Sequence, residues 1–166
     1  MVEYKKFEVR KRIIISVTMV IAFFTFLYLG TLLETVENCS IIPKPVITDQ
    51  VFWEQGAVLC LFDFVSFWLI SAVSSKIITV VTVFSVFALR GAAIGNAVKI
   101  FFTNSVPSLT IILLLSYCIV TLMMMSYTIF IHGTIEIKGT FFRLFACFIV
   151  TGACAFIRLI PYFFIN

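Results

Sequence analysis

Five apolar stretches, each close to the length that crosses a bilayer, take up most of this chain, and short polar connectors separate them. A hydrocarbon core about 30 Å thick needs roughly 20 apolar residues per helix. The stretches fall at about 13–33, 57–73, 77–102, 109–131 and 141–164. Hydrophobic residues make up 62% of the 166 positions, charged residues 12%, and mean hydropathy is +1.17. Little chain is left for a soluble domain. The pattern predicts one all-α domain, a polytopic membrane helix bundle of about five transmembrane helices.

Charge placement orients the bundle. Lys5, Lys6, Arg10, Lys11 and Arg12 crowd residues 1–12. Beside an apolar run, such a cluster reads as a topology signal and a lipid anchor, not as a nucleic-acid footprint. The first run is long for a signal-peptide core and lacks a small-x-small cleavage site downstream, so it reads as an uncleaved anchor. With the N-terminus in the cytoplasm, Lys76, Lys138 and Arg143 join the inner set. Lys44, Lys99 and Arg158 fall outside, together with the acidic loop 34–56 that carries Glu34, Glu37, Asp49 and Glu54. The expectation is therefore a multi-pass protein of the cell membrane with its partners in or at the lipid bilayer. Only about 14 residues separate Arg143 from Arg158, so the fifth stretch reads either as a full crossing or as a shallow or re-entrant helix.

Two charges interrupt the apolar stretches. A charge in hydrocarbon costs at least about 2.5–3.5 kcal/mol, so it normally has a partner. Asp63 lies about six residues into the second stretch, roughly 9 Å below the outer face at 1.5 Å per residue. Arg90 lies about 13 residues up the third, leaving about 10 Å to the same face. The depth match predicts an Asp63–Arg90 pair or a shared polar cluster. Such a pair either fixes helix register or marks a polar site facing a cavity or partner. Next to Arg90, Gly91-Ala-Ala-Ile-Gly95 is a G-x-x-x-G motif with Ala88 and Ala92 extending its small-residue surface. Small residues let membrane helices approach closely, within one chain or between subunits. Discontinuous helices often mark transport sites, and a break at Arg90-Gly91 would fit that reading.

His132, Gly133 and Glu136 sit in the connector after the fourth stretch. If helix continues there, His132 and Glu136 share a face at i, i+4, either as a solvated pair or as a proton relay. Four of the five cysteines, Cys60, Cys118, Cys147 and Cys154, lie in apolar runs as small hydrophobes, and Cys39 lies in the outer loop. No cysteine or histidine spacing suggests a metal site. The chain has one His and no H-E-x-x-H, one membrane-embedded Asp, no G-x-S-x-G and no Walker A segment. No catalytic, cofactor-binding or metal-binding residue is assigned, and the chain reads as a non-enzyme.

Residues 83–96, VFSVFALRGAAIGN, and the segment His132-Gly133-Thr134-Ile135-Glu136 together resemble the stage II sporulation protein M family. That family carries Gly-rich apolar helices and a His-Gly-x-x-Glu segment after a later helix. The similarity spans about residues 57–150. It departs at Ile131, where relatives often have Pro, and at Ile137-Lys138-Gly139, where they have a Leu-Pro-Ala-like segment. The resemblance implies a membrane scaffold without chemistry of its own. It also implies partnership with peptidoglycan hydrolases during sporulation and cell-wall remodelling in Firmicutes. Arg90, Gly91, Gly95, His132 and Glu136 would then be structural or partner-contact positions, and loop 34–56 would face wall enzymes. The competing reading is a small-solute transport component, the membrane subunit of a multi-part transporter, with Asp63 and Arg90 in a cavity.

Overall fold

The computed structural model describes residues 2–32, 49–73, 76–103, 108–133 and 140–163. They form five α-helices: α1 (Val2–Leu32), α2 (Asp49–Ala72), α3 (Lys76–Thr103), α4 (Ser108–Gly133) and α5 (Thr140–Phe163). Among the described residues there is no strand, and Val73 alone is non-helical. All five helices are long and apolar enough to cross a membrane.

Each helix buries one stripe at helical spacing. On α1 the stripe is Ile15, Met19, Ala22 and Gly30, and on α4 it is Leu113, Tyr117, Val120, Met124 and Ile131. The opposite faces carry Phe, Leu, Ile and Val in the open, with Phe141 83% and Phe102 82% exposed. Asp63, Arg90, Asn96, His132 and Arg158 are buried instead. Apolar outside and ionic inside is unfavourable in water and favourable in lipid, where only the polar groups need protein partners. The chain is a multi-pass membrane protein.

α2 and α4 form the middle of the bundle. α3 packs against both of them, α1 against α3 and α4, and α5 against α2 and α4, while among the described residues α3 and α5 do not pack against each other. α1 and α3 run parallel, because Gly91 meets Phe23 and Leu27 while Gly95, one turn on, meets Leu27 and Thr31. α2 runs antiparallel to α3 and parallel to α4, with Asp63 opposite Arg90 and Ile70 opposite His132.

Several boundaries depart from the sequence expectation. α1 begins at Val2, so the basic segment continues the helix instead of preceding it. α2 begins at Asp49, so residues 49–56, expected in the outer loop, are helical. Pro43 and Pro45 lie upstream of this segment in the sequence. Residues 33–48, with Cys39 and Lys44, lie outside the described residues. α3 is continuous through Arg90-Gly91, without the break that would fit the transport reading, and no described glycine has positive φ. The glycine there serves packing, not a kink. α5 spans 24 residues, roughly 36 Å at 1.5 Å per residue, enough to cross fully.

The G-x-x-x-G motif packs within the chain. A methyl group on Gly91 would overlap the Phe23 carbonyl, one on Gly95 the Leu27 carbonyl, and one on Gly30 of α1 the Ala92 carbonyl. The three glycines bring the two backbones into direct contact. Each glycine Cα–H then faces a carbonyl oxygen across the interface, the arrangement of a weak Cα–H···O bond.

Candidate functional site

The polar residues converge in the middle of the membrane. Asp63 lies ten residues after Trp53 and nine before Ala72 in its span. Arg90 lies 13 after Ile77 and 12 before Phe102, and Thr121 lies 11 from each end of Thr110–His132. These are span midpoints, and Asp63 lies deeper than its sequence estimate because α2 starts earlier than its apolar run suggested.

Asp63 Oδ1 accepts from Arg90 Nη2. Asp63 Oδ2 accepts from Arg158 Nε at 2.8 Å, with Arg158 Nη2 2.7 Å away but out of line for a hydrogen bond. One carboxylate therefore joins α3 to α5 through α2, linking two helices that share no packing surface. All three side chains are at most 2% exposed. Arg158, assigned to the outer face by sequence, belongs to this cluster. Side chains lean toward their helix N-terminus, and for α5 that direction leads from its C-terminal end back to the bundle centre. Sequence reading missed Arg158 because its position near the end of an apolar run looks like an interfacial cation. The available signal was the single buried acid set against two candidate cations.

α4 supplies the remaining partners. Arg90 Nη1 donates to Thr121 Oγ1 at 3.2 Å, and Thr121 donates its own proton to the Tyr117 carbonyl at 2.8 Å. Arg158 Nη1 donates to Ser116 Oγ at 3.4 Å, and Ser116 donates to the Leu113 carbonyl at 2.8 Å. The two hydroxyls thus turn donor-satisfied helix groups into acceptors for guanidinium. The Tyr117 ring lies 5.2 Å from both guanidinium carbons, and Phe62 lies 5.3 Å from that of Arg90. Aromatic faces at this distance offset part of the cationic charge. Each carboxylate oxygen is thus held by a different guanidinium.

A second polar layer lies at the end of the bundle that holds the α1 N-terminus. His132 Nε2 donates to the Ile70 carbonyl at 2.8 Å. Ile70 is in the last turn of α2, whose carbonyls have no intrahelical partner, so a residue of α4 caps α2. His132 is buried, not solvated; Glu136, its expected i, i+4 neighbour, lies outside the described residues, and Gly133 ends α4. Nearby, Tyr127 OH lies 2.6 Å from Ser71 Oγ and 3.3 Å from the Arg143 carbonyl, tying α4 to the ends of α2 and α5. His132→Ala leaves the Ile70 carbonyl buried without a donor and is expected to cost about 1–3 kcal/mol, read as a lower melting temperature in detergent. An unchanged melting temperature would remove the capping role.

Among the described residues no cluster of His, Cys, Asp and Glu has the makings of a metal site. Cys60, Cys118, Cys147 and Cys154 are free thiols. In the small-residue stretch of α5, Cys154 faces the bundle while Gly152 and Ala153 face outward. Comparison with family models, curated proteins and solved structures returned no match.

Proposed function

We propose that this chain is a non-catalytic scaffold or recruitment protein of the cell membrane, with its N-terminus in the cytoplasm. The observation that supports this most is the disposition of its charges. The buried acid and both buried arginines are spent on one another and on α4 hydroxyls, which suits a rigid platform. The basic segment before the first span supports the orientation. The similarity of residues 83–96 and 132–136 to the stage II sporulation protein M family points to sporulation as the setting and to peptidoglycan hydrolases as partners. Affinity capture from native membranes in mild detergent, read by mass spectrometry, tests it. Co-purifying cell-wall hydrolases support the scaffold, and co-purifying ATPase and permease subunits refute it.

A second reading, a small-solute transport component, draws on one observation, the excess positive charge at mid-membrane. The triple variant Asp63→Leu, Arg90→Met, Arg158→Met separates the two. Replacing a buried ionic triad by apolar residues of similar volume is often neutral or stabilising. A scaffold so altered keeps its partners at wild-type level, whereas a transporter folds and loses uptake.

A further inference from the structure

The central cluster does not balance. It holds two arginines and one aspartate, and Asp63 is the only acid among the buried described residues. One unit of positive charge therefore remains in the least polarisable part of the membrane, where isolated charge is most unfavourable. The Tyr117 ring takes up part of it, but a ring quadrupole is not a countercharge.

The hydrogen-bond inventory shows the same surplus. Arg90 Nε and the Tyr117 hydroxyl are fully buried without partners, and Arg158 Nη2 makes no aligned hydrogen bond. Each of these groups donates. Both guanidiniums flank the Tyr117 ring, so the unused donors belong to one group of touching side chains. The surplus in charge and the surplus in donors thus occur together. A water molecule accepts hydrogen bonds but leaves the charge; a monovalent anion answers both.

We propose that the Asp63–Arg90–Arg158 cluster binds one small monovalent anion of the halide class, held by the two guanidiniums beside Tyr117, as a fourth member of the ionic lock between α3 and α5. A halide matches the excess charge of one unit. A dianion would overshoot it and bring a larger desolvation penalty. The role is structural and holds whether the protein recruits partners or serves transport.

The full chain is purified in detergent and melted across a chloride series, with gluconate replacing chloride at constant ionic strength. A ligand that binds only the folded state stabilises it in a saturable way. The expected result is a melting temperature that climbs and levels off, roughly 5 °C higher at chloride a hundredfold above its dissociation constant. Bromide should substitute for chloride. In Arg158→Gln, where Asp63 and Arg90 balance one to one, the chloride dependence should vanish. If that variant does not fold, the triple apolar variant takes its place with the same expected loss. Tyr117→Phe removes one donor and should shift the midpoint of the series to higher chloride. Equal melting temperatures in the two salts, a rise that never saturates, or a dependence that survives in the charge-balanced variant each overturn the proposal.

Discussion

Asp63→Leu is expected to be among the most damaging single substitutions in this protein. It removes the one carboxylate that both Arg90 and Arg158 contact and strands two guanidiniums among apolar side chains. Breaking a buried ionic group by deleting one partner destabilises by about 3–5 kcal/mol. The damage should centre on α5. That helix is held mainly by α2, and among its described side chains the buried stripe is sparse: Cys147, Cys154 and Arg158. Without Asp63, Arg158 gains more by moving toward the interface than by staying inside. The check is maleimide labelling of Cys154, buried in the native bundle, alongside a melting curve. Labelling should rise sharply and the melting temperature fall. The apolar triple variant should recover most of the loss, because the penalty lies in the stranded charges rather than in the missing pair. A single variant that melts within a degree or two of the parent would show that the cluster does not hold α5.

Gly95→Ala and Gly91→Ala are expected to destabilise although each adds helix propensity. Alanine is favoured over glycine in a helix interior by about 1 kcal/mol. At these positions the new methyl meets a backbone carbonyl of α1, which cannot move aside as a side chain would. Forcing the helices apart costs about 1–3 kcal/mol per site, and leucine should cost more. Gly152→Ala provides the control, since nothing lies within 4 Å of its added carbon; it should be neutral or slightly stabilising. Melting temperatures of the three variants in one detergent decide the matter. If all three behave alike, close backbone contact between α1 and α3 is refuted.

Much of this architecture is legible in the linear order of residues because the bilayer imposes a length. Once about 20 apolar residues are required per crossing, five stretches read as five helices, and the structure changes only their ends. α2 extended back to Asp49 because apolarity marks the part of a helix inside hydrocarbon, not the helix itself. The Asp63–Arg90 contact was also legible, since intramembrane charges are few and their depths can be counted. The break at Arg90-Gly91 that would fit the transport reading is absent, because glycine in α3 provides space for a neighbouring backbone rather than backbone freedom.

Arg158, Tyr117, Ser116 and Thr121 were not legible as members of the cluster. Hydroxyl and aromatic residues are frequent in membrane helices, and nothing local distinguishes those that face a guanidinium from those that face lipid. His132 was visible as a polar residue, yet its partner is a main-chain carbonyl 62 residues away, and a carbonyl leaves no mark in sequence. Hydrophobic length and charge scarcity are one-dimensional properties, so the chain alone determined the number of crossings and the identity of the buried acid. Which helix faces which, and therefore that two arginines share one aspartate, depends on rotation and tilt of each helix about its neighbours. Those angles are settled by three glycines on α1 and α3 and by the lean of a single long side chain on α5, so only the tertiary structure decided them.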